Sequence, residues 1–408
     1  MHTRFKIANL RPAIAGTALC ALLAGCGEKP PAAAPVASAD APLLSVPIQR
    51  NGAWVIEAQD ASNKTHRLLL DTGASFDVFE AQGPLAAAPL TKDAEAEFLR
   101  QGTLTRPTAG SGMNVNTLSD AYHTEFGLRP ALRVQNWALP AGSPAFRGEL
   151  GRIATIGDAP FDGIIGVDSM SKLTWRADYV AGKLTAYADA APTHDWQQCT
   201  FMTRDSRTRS PLIELSLGDE SNQFVLDTGY DADIMVPQEL FDNLERAKHF
   251  PEVHTVFGTD IANRTIPRPE GLIAGFAIGQ KAMPKLTVQG GGQDLRLGIG
   301  VLEKMDRFEL DFRHYRFCFD LPSKPQDSAL TVVRSTLERQ GDRYAIVTLA
   351  PDGRLAKSGA KMGDLIAKVD GTDVKTLDLE QLSERLANPA THEVTLQRGD
   401  RTLALKLR

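Results

Sequence analysis

Cysteine is scarce in this chain: four in 408 residues. Two of them, Cys20 and Cys26, belong to the N-terminal stretch, which leaves Cys199 and Cys318 for everything downstream. None has metal-ligand spacing, and the eight histidines are scattered. No metal and no cofactor are therefore expected. Basic clusters are also missing, and the net charge of −5 is small for this length, so nucleic acid is not an expected partner. The apolar stretch from Ala13 to Leu23 is too short to span a bilayer well.

What the chain does contain is apolar material, 42% of it, over a length beyond what one core usually organises. It also contains one unusual stretch written twice. Leu68-Leu69-Leu70-Asp71-Thr72-Gly73-Ala74-Ser75 is matched by Phe224-Val225-Leu226-Asp227-Thr228-Gly229-Tyr230-Asp231. Each copy is an apolar run of strand type that stops at an acid. A carboxylate directly after three apolar residues suits a strand end where the acid is wanted at the mouth of a loop. The glycine two places on lets the backbone turn beneath that carboxylate, where a side chain would collide. One Asp-Thr-Gly alone is an ordinary strand end; two in matching context are specific.

The context does match. Asp162-Gly163-Ile164-Ile165-Gly166-Val167 follows the first copy, and Leu297-Gly298-Ile299-Gly300-Val301 follows the second. Then come Leu173-Thr174-Trp175-Arg176-Ala177-Asp178-Tyr179 and Arg307-Phe308-Glu309-Leu310-Asp311-Phe312. Over roughly residues 45–320 the sequence resembles the retropepsin- and pepsin-like aspartic proteases. The resemblance implies a mainly β fold of two pseudo-repeated lobes, 45–192 and 193–322, with an active site between them. It implies Asp71 and Asp227 as the catalytic pair, Thr72 and Thr228 bonding across the lobes, and Gly73 and Gly229 shaping the loops. Gly166 and Gly300 are the expected glycines of the second motif. Two carboxyls in contact share one proton, which is the basis for activating a water against a peptide bond. Protein or peptide substrates are the implied partners. A catalytically silent peptide-binding adaptor on the same fold is the alternative, because Tyr230 and Asp231 are bulkier and more polar than the family places there.

Arg4, Lys6 and Arg11 precede the apolar stretch, which ends in Leu23-Ala24-Gly25-Cys26. This looks like a bacterial lipobox; the other reading is an ordinary signal peptide that contains a cysteine. The lipobox implies removal of the segment before Cys26, lipid attachment there and a periplasm-facing membrane anchor, with the Gly27 position permitting the outer membrane. Residues 27–44 are Pro- and Ala-rich and read as a tether. In an oxidising compartment Cys199 and Cys318, which flank the second lobe, form one disulfide or remain two buried thiols; spacing leaves both open.

From residue 323 to 408 the pattern changes. A strand from Arg343, the small-residue segment Ala356 to Gly363, Asp364-Leu365-Ile366 and a strand ending Asp370-Gly371 resemble a bacterial PDZ domain, a small α+β module. PDZ domains take peptide ends by strand addition, which would place the groove at Tyr344, Ala345 and Ile346 beside a helix Asp378 to Leu386. Ala345 stands where the family usually has glycine. Elsewhere, the pattern predicts a strand Val46 to Ile56 paired with His66 to Leu70, and short helices at Ala94 to Arg100 and Pro237 to His249. It also predicts a strand Leu272 to Gly279 paired with Leu286 to Val288, and a flap over the substrate at Gly102 to Asn116.

Overall fold

The computed structural model describes residues 41 to 407, apart from 51–52, 84, 105–112, 117–120, 149–160, 207, 218–219, 260–264, 324–334, 336, 347–348, 350–352 and 378. Cys26 and most of the expected tether lie outside the described residues. Within them the chain is mainly β. No described helix is long and apolar enough to cross a membrane.

Each Asp-Thr-Gly closes a central strand of its own ten-stranded sheet. Thr65–Asp71 runs parallel to Gly163–Gly166 on one side and antiparallel to Val55–Asp60 on the other. A strand flanked on both edges can be apolar throughout, and Leu68, Leu69 and Leu70 are all buried. Glu220–Asp227 is held the same way, parallel to Arg296–Gly298 and antiparallel to Pro211–Leu217. The correspondence continues outward. Asp77–Glu80 is antiparallel to Gly163–Gly166 and parallel to Pro144–Gly148. Ile234–Pro237 has the same two relations, to Arg296–Gly298 and Leu286–Gly292.

A six-stranded antiparallel sheet joins the halves, in the order Leu44–Pro47, Lys183–Tyr187, Thr174–Asp178, Arg307–Asp311, Arg316–Asp320, Gln198–Phe201. At its middle Thr174 faces Asp311 and Asp178 faces Arg307, so Arg176 and Glu309 meet at the centre. Arg176 Nη2 lies 2.5 Å from Glu309 Oε2. One apolar core runs beneath, with Trp54, Trp175, Phe308, Phe317 and Phe319 buried and Trp54 stacked on Phe308 at 5.6 Å. Burying a side chain of this size contributes about 2–3 kcal/mol, so these five anchor the join. Cys199 and Cys318 face each other across the outermost strand pair and are bonded as a disulfide.

Two predicted elements are redistributed. The run Val46 to Ile56 is divided: Leu44–Pro47 belongs to the joining sheet, and only Val55–Asp60 pairs with the Asp71 strand. Leu272 to Gly279 breaks at Gly275, whose φ of +97° suits glycine. Leu272 and Ile273 pair with Thr287 and Leu286, whereas Phe276–Ile278 crosses to Pro211–Leu217. Of the expected flap Gly102 to Asn116, residues 105–112 lie outside the described residues, and Met113–Asn116 pairs with Ala121–Leu128. The short helices form at Lys92–Arg100, capped by the Thr91 hydroxyl, and at Gln238–Arg246.

The C-terminal segment builds a separate sheet from Leu337–Gln340, Arg343–Ile346, Leu365–Val369, Glu393–Arg398 and Arg401–Lys406, with a helix Leu379–Ala387 and its own apolar cluster. The expected groove at Tyr344, Ala345 and Ile346 is corrected here. Arg343–Ile346 is paired on both edges, by Leu337–Gln340 and by Leu365–Ile366, and all three side chains are buried. Strand addition needs an open edge. Among the described residues this sheet ends in Leu337–Gln340 on one side and Arg401–Lys406 on the other.

Candidate active site

The two Asp-Thr-Gly loops meet at the sheet ends. Asp71 Oδ1 accepts hydrogen bonds from the amides of Gly73 at 2.7 Å and Ala74 at 3.2 Å. Asp227 Oδ1 accepts from the Gly229 amide at 3.0 Å. A Cβ added to Gly73 would sit 2.5 Å from the Asp227 carboxyl, and one at Gly229 would sit 2.5 Å from that of Asp71. The glycines are therefore required by space: each loop is packed against the opposite acid.

The threonines tie this contact down. Thr72 N–H donates to Thr228 Oγ1 at 3.0 Å, and Thr228 N–H donates to Thr72 Oγ1 at 3.1 Å. Each hydroxyl in turn donates to the carbonyl preceding the opposite acid, Thr72 to Leu226 at 2.6 Å and Thr228 to Leu70 at 2.8 Å. Both threonines are buried, so all four groups would be costly if unpaired.

The Asp71 and Asp227 carboxyls act directly on each other. Loss of water around Asp71, and then the charge of Asp227, push the Asp71 carboxyl up to about 8. One proton is thereby retained by the pair near neutrality. Asp231 is exposed as a residue, yet loss of water around its carboxyl, with the charges of Asp227 and Glu270, pushes that group up against the pull of Arg268. Tyr230 points its hydroxyl at Gln289 Oε1, 3.0 Å away.

The second motif lies directly beneath. Gly166 is in register with Asp71, and Gly298 with Asp227. A Cβ at Gly166 would strike the Phe76 carbonyl, and one at Gly298 the Ala232 carbonyl. Gly298, and not Gly300, is therefore the counterpart of Gly166. Gly300 sits two residues further on, inside the helical turn Ile299–Leu302, against Asp233.

Three functional positions escaped the sequence reading. Asp77 Oδ1 accepts the Gly166 amide at 2.9 Å, and its Oδ2 takes Arg129 Nη1 and Ser169 Oγ, both at 2.8 Å. Asp233 is its counterpart: its carbonyl accepts the Gly298 amide and its carboxylate pairs with Lys304 Nζ at 3.1 Å. Both pairs are buried. The signal was in plain view, since an Asp follows each catalytic candidate by six residues. The third is Arg296, whose Nη1 is 2.5 Å from Asp227 Oδ2. It stands two places before Gly298, where the first half has Ile164.

No protein-family model matches the chain, and no curated protein matches it.

Proposed function

We propose that the chain is an aspartic endopeptidase of two pseudo-repeated lobes with a PDZ-like C-terminal domain. On this reading it is anchored through a lipid on Cys26 and acts on proteins or peptides at the bacterial cell envelope, facing the periplasm. The observation that carries it is the Asp71–Asp227 contact, framed by reciprocal threonine bonds and by glycines that no other residue could replace. Two adjacent acids are costly to keep together, and sharing a proton is what such a pair does well. One carboxylate takes a proton from water as the oxygen attacks the scissile carbonyl, while the protonated partner polarises the carbonyl oxygen. Any peptide added to the C-terminal sheet would use one of its two edges, Leu337–Gln340 or Arg401–Lys406.

One observation favours the adaptor reading instead. The Arg296 contact places a cation on one of the two acids. A single experiment separates the two. A soluble form beginning at Ser45 is incubated with a complex peptide mixture across pH, beside its Asp71→Asn and Asp227→Asn variants. New peptide ends that disappear with either variant are the expected result. Peptide retention without cleavage would favour the adaptor, and an Asp227→Asn protein that still cuts would remove Asp227 from the mechanism.

A further inference from the structure

The two halves place unlike residues at one equivalent position. Ile164 pairs with Leu69, and Arg296 pairs with Val225, each two residues before the glycine in register with its acid. Ile164 is a buried apolar residue. Arg296 instead reaches along the sheet to Asp227, with its side chain 31% exposed. A guanidinium drawn this far from water is expensive unless a carboxylate receives it. The swap is therefore not a packing variant of isoleucine.

The result is an acid pair with unequal surroundings. Asp227 has the Gly229 amide on one oxygen and the Arg296 cation on the other. Asp71 accepts hydrogen bonds only from backbone amides beside its partner acid, and the Arg296 charge reaches it without a hydrogen bond. The remaining charged groups near the pair do not cancel this bias. Asp294, on the turn before the Arg296 strand, lies 3.7 Å from Arg296 Nη2 and is 42% exposed. Asp231, after the Asp227 loop, has its carboxyl pushed up by loss of water and by the charges of Asp227 and Glu270, with Arg268 on the strand Thr265–Ile273 opposing this.

We propose that Arg296 is a positioning residue that fixes the proton roles of the pair, holding Asp227 as the carboxylate that acts as base and leaving the shared proton on Asp71 as the acid. This deepens the peptidase reading and rests on it. In the cycle Asp227 takes a proton from water as the C–O bond forms, and the Asp71 proton passes to the carbonyl oxygen, giving a neutral gem-diol. The C–N bond then breaks. The amine leaves with the Asp227 proton, a diol hydroxyl returns its proton to Asp71, and the pair is restored with one proton. An opposite charge in contact favours the charged form of a carboxylate, and here it sits on Asp227; loss of water, and then the Asp227 charge, push the Asp71 carboxyl up to about 8. The working window is thereby widened across neutrality, as a periplasmic enzyme needs.

The test has two arms. In the first, kcat/KM is followed against pH for the wild type, Arg296→Met and Arg296→Lys. The acid limb should move up by one pH unit or more in Arg296→Met and stay close to wild type in Arg296→Lys; an unmoved limb in Arg296→Met overturns the proposal. The second arm needs neither activity nor a variant at 296. The Asp227 carboxyl is titrated by NMR of protein labelled with ¹³C-aspartate and assigned with Asp227→Asn. It should titrate below Asp71, and titration above Asp71 overturns the assignment of roles. If the carboxyl titrates low and no peptide is cut at any pH, the Arg296 pairing stands and the peptidase reading fails.

Discussion

Thr72 and Thr228, 156 residues apart, exchange hydrogen bonds so that each hydroxyl accepts from the other's amide and donates to the carbonyl before the other's aspartate. Valine has nearly the same shape but no hydroxyl. Thr72→Val would leave the Thr228 amide and the Leu226 carbonyl without their partner in a buried site. Each orphaned group costs ~1–3 kcal/mol. We expect a loss of ~2–4 kcal/mol in urea unfolding and a lower peptidase rate. Because both threonines share one network, the double variant should cost clearly less than the sum of the singles. Strict additivity would mean that the two bonds act independently.

Arg129 and Asp77 are the second support, a buried ion pair that places the Gly166 amide beneath the Asp71 loop. Burial alone pushes the Asp77 carboxyl up, and Arg129 opposes this. Arg129→Met strands the acid, for which ~3–5 kcal/mol is typical. Thermal unfolding should fall accordingly, and Asp77→Asn should recover part of it in the double variant. No recovery would show that Arg129 acts through packing.

The Asp71 carboxyl makes stability depend on pH. Its value rises from an ordinary 3.8 unfolded to about 8 folded. The folded state therefore holds the extra proton between these values, and the stability linked to it is full below pH 4 and lost as pH rises through 8. Asparagine does not titrate. Asp71→Asn should match wild type at pH 4 and become more stable relative to it by ~1–3 kcal/mol at pH 8, measured by chemical unfolding at both. A constant difference would mean that the proton is not held on Asp71.

The Cys199–Cys318 bond closes a span of 119 residues across the outermost pair of the joining sheet. Reduction releases that constraint mainly in the unfolded chain, where a loop of this size corresponds to ~2–5 kcal/mol. The unfolding midpoint should fall on reduction while cleavage in native buffer persists, since the bond does not touch the acid pair. Mass analysis of unreduced digests should recover the linked peptides, and free thiols at both positions would refute the pairing.

Much of the frame was legible because it is written in local pattern. An apolar run ending in Asp-Thr-Gly specifies a doubly flanked strand with an acid at its tip, and both copies of that strand form. The stretch Ala94 to Arg100 and the amphipathic spacing after Pro237 likewise marked two helices within a few residues. Errors arose where one apolar run serves two sheets. Nothing local tells Leu44–Pro47 from Val55–Asp60, because both satisfy the same alternation while pairing with strands far apart in sequence. The C-terminal groove failed for a related reason: whether the Tyr344 strand has an open edge depends on its neighbours, not on its own residues.

The sequence by itself determined that two acids follow two buried strands and that glycine must come two residues later in each. Only the tertiary structure decided that each glycine is forced by the opposite aspartate, that Gly298 and not Gly300 sits in register, and that Asp77 and Asp233 brace the loops. It alone brought Arg296 to Asp227. Strand and turn tendencies are carried by neighbours along the chain, so a reader of the chain can find them. Contacts across 69 or 156 residues depend on register and on which half closes over which, and that geometry exists only once the sheets have formed.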